Sequence, residues 1–185
     1  YVLDTKFGLE GNFNLLKEDT SYVNTALSLT IPYHLSADNY VGLYYTLNKS
    51  AVTYPVNIVV SKLPDLIDFS SNTMGVVYYN SSLDNVFNPA KGIEMKMKAG
   101  GGKRKIFKDD NVPEALYSDV KMISEQFESS IRFDVYIPLF SRISLKASNN
   151  SAYLYNEDLF ENQIFRIGGA DILRGFKEDA VRASV

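Results

Sequence analysis

The sequence has no cysteine, no tryptophan and one histidine, His34. Lack of cysteine removes both a disulfide framework and a thiolate metal site. A lone imidazole argues against a His-rich metal centre and against a His-based catalytic dyad. No Gly-x-Ser-x-Gly elbow occurs, so an esterase nucleophile is missing from these residues. No apolar run approaches the roughly 20 residues of a membrane helix, and Tyr1-Val2-Leu3-Asp4 does not read as a signal peptide. A barrel strand needs only about 9–11 residues, so these absences leave a membrane open. The net charge of −3, without a long block of one sign, gives no footing for nucleic acid. No cofactor, no metal and no enzymatic activity are expected.

The 13 tyrosines suit both strands and water–lipid interfaces, where the ring is buried and the hydroxyl stays wet. The main signal is an alternation of period two, which sends successive side chains of a strand to opposite faces. Between residues 23 and 33 one face reads Val23, Thr25, Leu27, Leu29, Ile31, Tyr33, against Asn24, Ala26, Ser28, Thr30, Pro32. The pattern recurs over 40–48 and most sharply after Gly92, where Ile93, Met95, Met97 and Ala99 oppose Glu94, Lys96 and Lys98. It returns over 131–139 and 143–148, with weaker copies over 2–9 and 73–80. About seven strands are expected and no long helix. A soluble antiparallel sandwich alternates as well, so periodicity leaves both architectures open.

Three features favour a transmembrane barrel. The strands are long, charges share one face of successive strands, and the connections alternate in length. The expected connections are 10–20, 34–39, 51–71, 81–91, 100–128 and 140–141, with the longer ones in every second place. Outer-membrane barrels pair short periplasmic turns with longer external loops, which would put 10–20, 51–71 and 100–128 outside the cell.

Gly100-Gly101-Gly102-Lys103-Arg104-Lys105 lacks the spacing of a phosphate loop and reads as a flexible strand exit with a solvated basic cluster. The carboxylates Asp84, Glu94, Asp134 and Glu157 read as lumen or loop charges before acid/base pairs. His34 reads as a solvated turn residue. After the last clear strand, residues 164–179 lose the alternation and carry Gly168-Gly169 and Leu173-Arg174-Gly175-Phe176. Glycines permit close backbone approach, and an Arg on such a turn can form a forked pair with a carboxylate. An ordinary external loop with a solvated Arg fits the residues equally well.

Gly168, Gly169, Leu173, Arg174, Gly175 and Phe176 resemble the sixth-loop signature of the Omp85 superfamily, the BamA/TamA-type surface-antigen barrels. The run from Asp84 to Gly92, with Asn88, Pro89 and Gly92, is similar to that family's Asn-Pro-x-x-Gly turn. The wording of the loop is most similar to sequences of the Bacteroidetes group. The resemblance implies an all-β, antiparallel transmembrane barrel of 16 strands, of which these residues supply about seven. Residues 1–155 would be strands and connections, and 156–185 a long inward-folding loop and the start of the next strand. Arg174 would anchor that loop to the barrel wall, with an acidic partner beyond Val185. The chain is thus expected to be part of a longer polypeptide. The implied role is energy-independent insertion or translocation of client outer-membrane or secreted proteins in the bacterial outer membrane. Partners would be lipid, including lipopolysaccharide, and periplasmic or lipoprotein accessory subunits. The alternatives are a barrel that anchors a patatin-like phospholipase domain, and a passive porin or adhesin.

Overall fold

The computed structural model describes residues 6–18, 21–53, 63–110, 112–140, 143–164, 166–167 and 181–182. Seven strands follow one another along the chain: β1 (Glu10–Glu18), β2 (Tyr22–Ser36), β3 (Asn39–Val52), β4 (Asp68–Ser81), β5 (Gly92–Phe107), β6 (Ile123–Phe140) and β7 (Ile143–Tyr155). Each pairs antiparallel with the next, in the order β1 to β7, to form a sheet curled into a half-barrel. Two short strands, β8 (Arg166–Ile167) and β9 (Val181–Arg182), pair separately.

Several expectations from the sequence are overturned. The first strand is Glu10–Glu18, where a loop over 10–20 was expected, and Phe7 contributes only an isolated bridge to Tyr33. Glu10-Gly11-Asn12 resembles a turn, yet Asn12 and Asn14 pair with Ser28 and Ala26 and share their wet face, leaving Phe13 and Leu15 outward. The strands also outrun their apolar stretches, so the long connections shrink to 53–67 and 108–122. Gly100–Lys105 therefore belongs to the body of β5, paired on both sides, and is no strand exit. His34 lies in β2, its ring against Tyr40 at 5.6 Å, and the turn is confined to 37–38.

The two faces of the sheet differ as alternation requires. Tyr40, Tyr44, Ser50, Ser71, Thr73, Val77, Arg104, Gln126 and Asp134 are buried on the concave side. Leu29, Leu43, Val76, Met97, Ile137 and Leu145 stand exposed on the convex side. This convex apolar band crosses the sheet: Tyr45, Met74, Gly101, Phe127 and Tyr155 share one register row from β3 to β7. Its margin is uneven, since Leu47 of β3 is level with the outward Asn72, Lys103 and Glu125. On β6 and β7 apolar residues continue to the opposite end, at Ile137↔Leu145 and Phe140↔Ile143. An apolar outer band on a curled antiparallel sheet is the arrangement of barrel strands that face lipid.

A side-chain bond crosses the concave face over a row of glycines. Tyr44, Gly75, Gly100 and Glu128 occupy one register row on β3, β4, β5 and β6. Three strand spacings, roughly 14 Å in a flat sheet, separate β3 from β6. The two side chains span them together, the Tyr44 hydroxyl donating to Glu128 at 3.2 Å. The side chain reaches across because the two strands between them carry glycine in that row; a Cβ on Gly100 would stand 2.4 Å from the Tyr44 oxygen.

Candidate functional site

Gly168, Gly169, Leu173, Arg174, Gly175 and Phe176 lie outside the described residues. The expected turn residues Asn88, Pro89 and Gly92 are described, in the connection 82–91 and at the start of β5. Gly92 has φ 122°, and a Cβ there would meet the Ser82 carbonyl at 2.3 Å, so the position requires glycine. The side chains that build the turn are Asp84 and Asn85. Asp84 Oδ1 accepts from the backbone amides of Asn85, Ala90 and Lys91 at 3.0, 3.0 and 3.1 Å. Asn85 Oδ1 accepts from Phe87 and Asn88 at 2.9 and 3.2 Å. The Lys91 amide, with those of Ala90 and Asn85, holds the Asp84 carboxyl below the usual carboxylate range. Phe87 is left 99% exposed at the tip.

At the opposite end the half-barrel is roofed. Ile67, Phe69, Ile106, Val112, Tyr117 and Phe160 form an apolar cluster, joined by Leu63, Leu116, Val120 and Met122. It draws together the two long connections and the segment 156–164 that follows β7. That segment is tied to distant strands by Asn162, whose Nδ2 donates to Ser50 Oγ and to the Ile67 carbonyl, both at 2.7 Å. Asn24 Nδ2 in turn donates to the Asn162 carbonyl at 3.2 Å. Glu157 bonds Lys121 at 2.8 Å and raises its pKa, and Asp158 Oδ2 accepts from the Lys121 amide at 3.3 Å.

Under this roof lies Arg104, with no exposed surface. Its Nη1 donates to the Asp158 carbonyl and, at 2.8 Å, to Gln163 Oε1. The Phe160 ring covers the guanidinium, 5.6 Å from centroid to Cζ. Gln163 Oε1 also accepts the Phe160 amide at 3.1 Å, so one carboxamide fixes both the Arg and the segment's backbone. Sequence reasoning missed this residue. Its basic neighbours Lys103 and Lys105 disguised the alternation that sends Arg104 alone inward.

Of the four carboxylates singled out in the sequence, Glu94 and Asp134 face each other across β5 and β6. They do not pair as acid and base: Glu94 accepts from the Tyr79 hydroxyl at 3.0 Å, and Asp134 is held by Arg132, Lys146 and Ser148. Asp84 and Glu157 sit at opposite ends of the sheet. The described residues contain no cluster of three or more His, Asp or Glu able to hold a metal. They contain no helix long and apolar enough to cross a membrane, which has no bearing on strands.

No family model, no curated protein and no solved structure matches the chain.

Proposed function

We propose that the chain forms part of a bacterial outer-membrane β-barrel of the Omp85 type. Its role would be non-enzymatic insertion or translocation of client proteins. The observation that carries the membrane part is the exposed convex apolar band that crosses the sheet from β2 to β7. Such a band on a sheet with a charged concave face is costly in water and favourable against lipid. The functional part rests on the resemblance of Gly168-Gly169 and Leu173-Arg174-Gly175-Phe176 to the family's loop signature. Partners on this reading are outer-membrane lipid including lipopolysaccharide, client proteins and accessory subunits.

The packed roof weighs against a passive porin, which needs an open aqueous path. No observation favours the phospholipase anchor.

Two experiments test the parts separately. Because the chain lacks cysteine, single cysteines at Leu43, Val76, Met97 and Val135 report position cleanly. In the reconstituted protein they should resist a water-soluble maleimide and yield to a membrane-phase one. Equal aqueous labelling at all four overturns the membrane reading. For the function, Arg174→Ala in the full protein should lower outer-membrane protein levels; an unchanged outer membrane counts against the assembly role.

A further inference from the structure

Lysines gather on the convex face at one margin of the apolar band. Lys17 of β1, Lys49 of β3, and Lys103 and Lys105 of β5 are all exposed. Their neighbours Ser50 and Arg104 are buried on the concave side, so Lys49, Lys103 and Lys105 point outward. Lys17 does the same on β1, level with Val23. Among the described residues none of these lysines takes part in an ion pair. Lys105 has a ring contact with Phe107, at 5.3 Å. Two acids stand at the same margin, Asp68 and Glu125, and Asp68 is occupied by the Val52 amide at 2.6 Å. The margin is therefore basic. At the opposite margin the outward positions Asn39, Asn80, Ile93 and Leu145 are uncharged.

The basic margin is the roof end. The longer connections 53–67 and 108–122 leave the sheet there, and long connections are external in outer-membrane barrels. The outward positions of β5 from Ile93 to Gly101 run roughly 27 Å along the strand. At the usual barrel tilt that is about 20 Å of depth, close to the height of a lipid-facing band. Lys103 and Lys105 come next, where hydrocarbon gives way to headgroups. Their apolar stems follow the band while the ammonium groups reach past it.

Spacing decides between a free anion and a leaflet. Lys49 and Lys105 share a register row two strands apart, roughly 10 Å. Lys103 is roughly 7 Å along β5 from Lys105. One phosphate does not bridge such gaps, whereas a leaflet presents anionic headgroups side by side.

We propose that Lys17, Lys49, Lys103 and Lys105 form a belt that binds the phosphates of lipopolysaccharide in the outer leaflet. The belt rests on the membrane reading of the convex band, and the test separates the two.

The full-length protein in a neutral detergent is mixed with lipopolysaccharide, and the retained lipid is measured by native mass spectrometry. Lys103→Gln together with Lys105→Gln should lower retention about tenfold. Lys91→Gln together with Lys96→Gln removes as much charge elsewhere and should leave retention unchanged. Lipopolysaccharide stripped of its phosphates should be retained about tenfold less by the wild type, an arm that needs no variant. Inorganic phosphate should displace none of the bound lipid. No retention by the wild type overturns the proposal, as does retention that survives loss of Lys103 and Lys105. Equal loss in the Lys91 and Lys96 control, equal retention of the stripped lipid, or displacement by inorganic phosphate also overturns it. Cysteines at Leu43, Val76 and Met97 report the band separately in the reconstituted protein. Their labelling from water overturns the membrane reading and the belt with it; their protection, with any of the other failures, overturns the belt alone.

Discussion

The two ends of the half-barrel are stabilised by opposite means. The turn over 82–91 is exposed, and its order comes from local bonds: Asp84 and Asn85 each collect backbone amides from within seven residues. The roof is buried, and its order comes from contacts far apart in sequence. Asn162 reaches Ser50, and Arg104 reaches Gln163. A local network of this kind can form with the rest of the sheet unfolded, at modest stability. The roof can form only once β2 to β6 are in place, so it reports the integrity of the whole sheet. One end is thus a self-templated turn and the other a cooperative product of the fold.

The largest expected effect falls on the roof. Phe160→Ala removes a buried ring from the apolar cluster and the cover of Arg104, and should cost about 3 kcal/mol. Hydrogen exchange over 156–164 should accelerate accordingly while amides of 82–91 stay unchanged. Acceleration at both ends would dissolve the contrast. Next comes Gly92→Ala, which forces a side chain into positive φ against the Ser82 carbonyl, at about 2 kcal/mol. Its damage should appear in the Ser82–Ile93 pairing and leave the roof intact, as measured by the same exchange map. Asn85→Ala, losing two backbone bonds on an exposed turn, should cost only about 1 kcal/mol. Proteolysis near Phe87 would check it.

The smallest effect is set by pH. Asp84 has its folded pKa depressed, so its contribution is fully present above the ordinary carboxylate range, about pH 4. That contribution fades as pH falls through the lower folded value. Protection of the Ala90 and Lys91 amides, corrected for intrinsic exchange, should decline below that point. A flat profile from pH 6 to 3 would remove Asp84 from the turn's support.

The same contrast explains what the sequence made legible. The alternation over 23–33, 40–48 and 131–139 is local, and the strands found there carry it outward and inward as read. The turn before Gly92 was also visible, though on Asn88 and Pro89 more than on the Asp84 and Asn85 that bond its backbone. The strand ends were hidden, because β4, β5 and β6 continue past the apolar band into polar residues that read as loop. β1 was hidden because its wet-face asparagines resemble turn residues. Arg104 was hidden for a deeper reason. Its burial depends on Phe160 and Gln163, more than 50 positions away, and no local pattern encodes that meeting.

The bond from Tyr44 to Glu128 also joins strands that share no ladder. Tyr44 is on β3 and Glu128 on β6, so it is a cross-link over β4 and β5 that backbone pairing does not supply. Four strands are thereby fastened at one row, and Gly100 is the position that leaves the link its path.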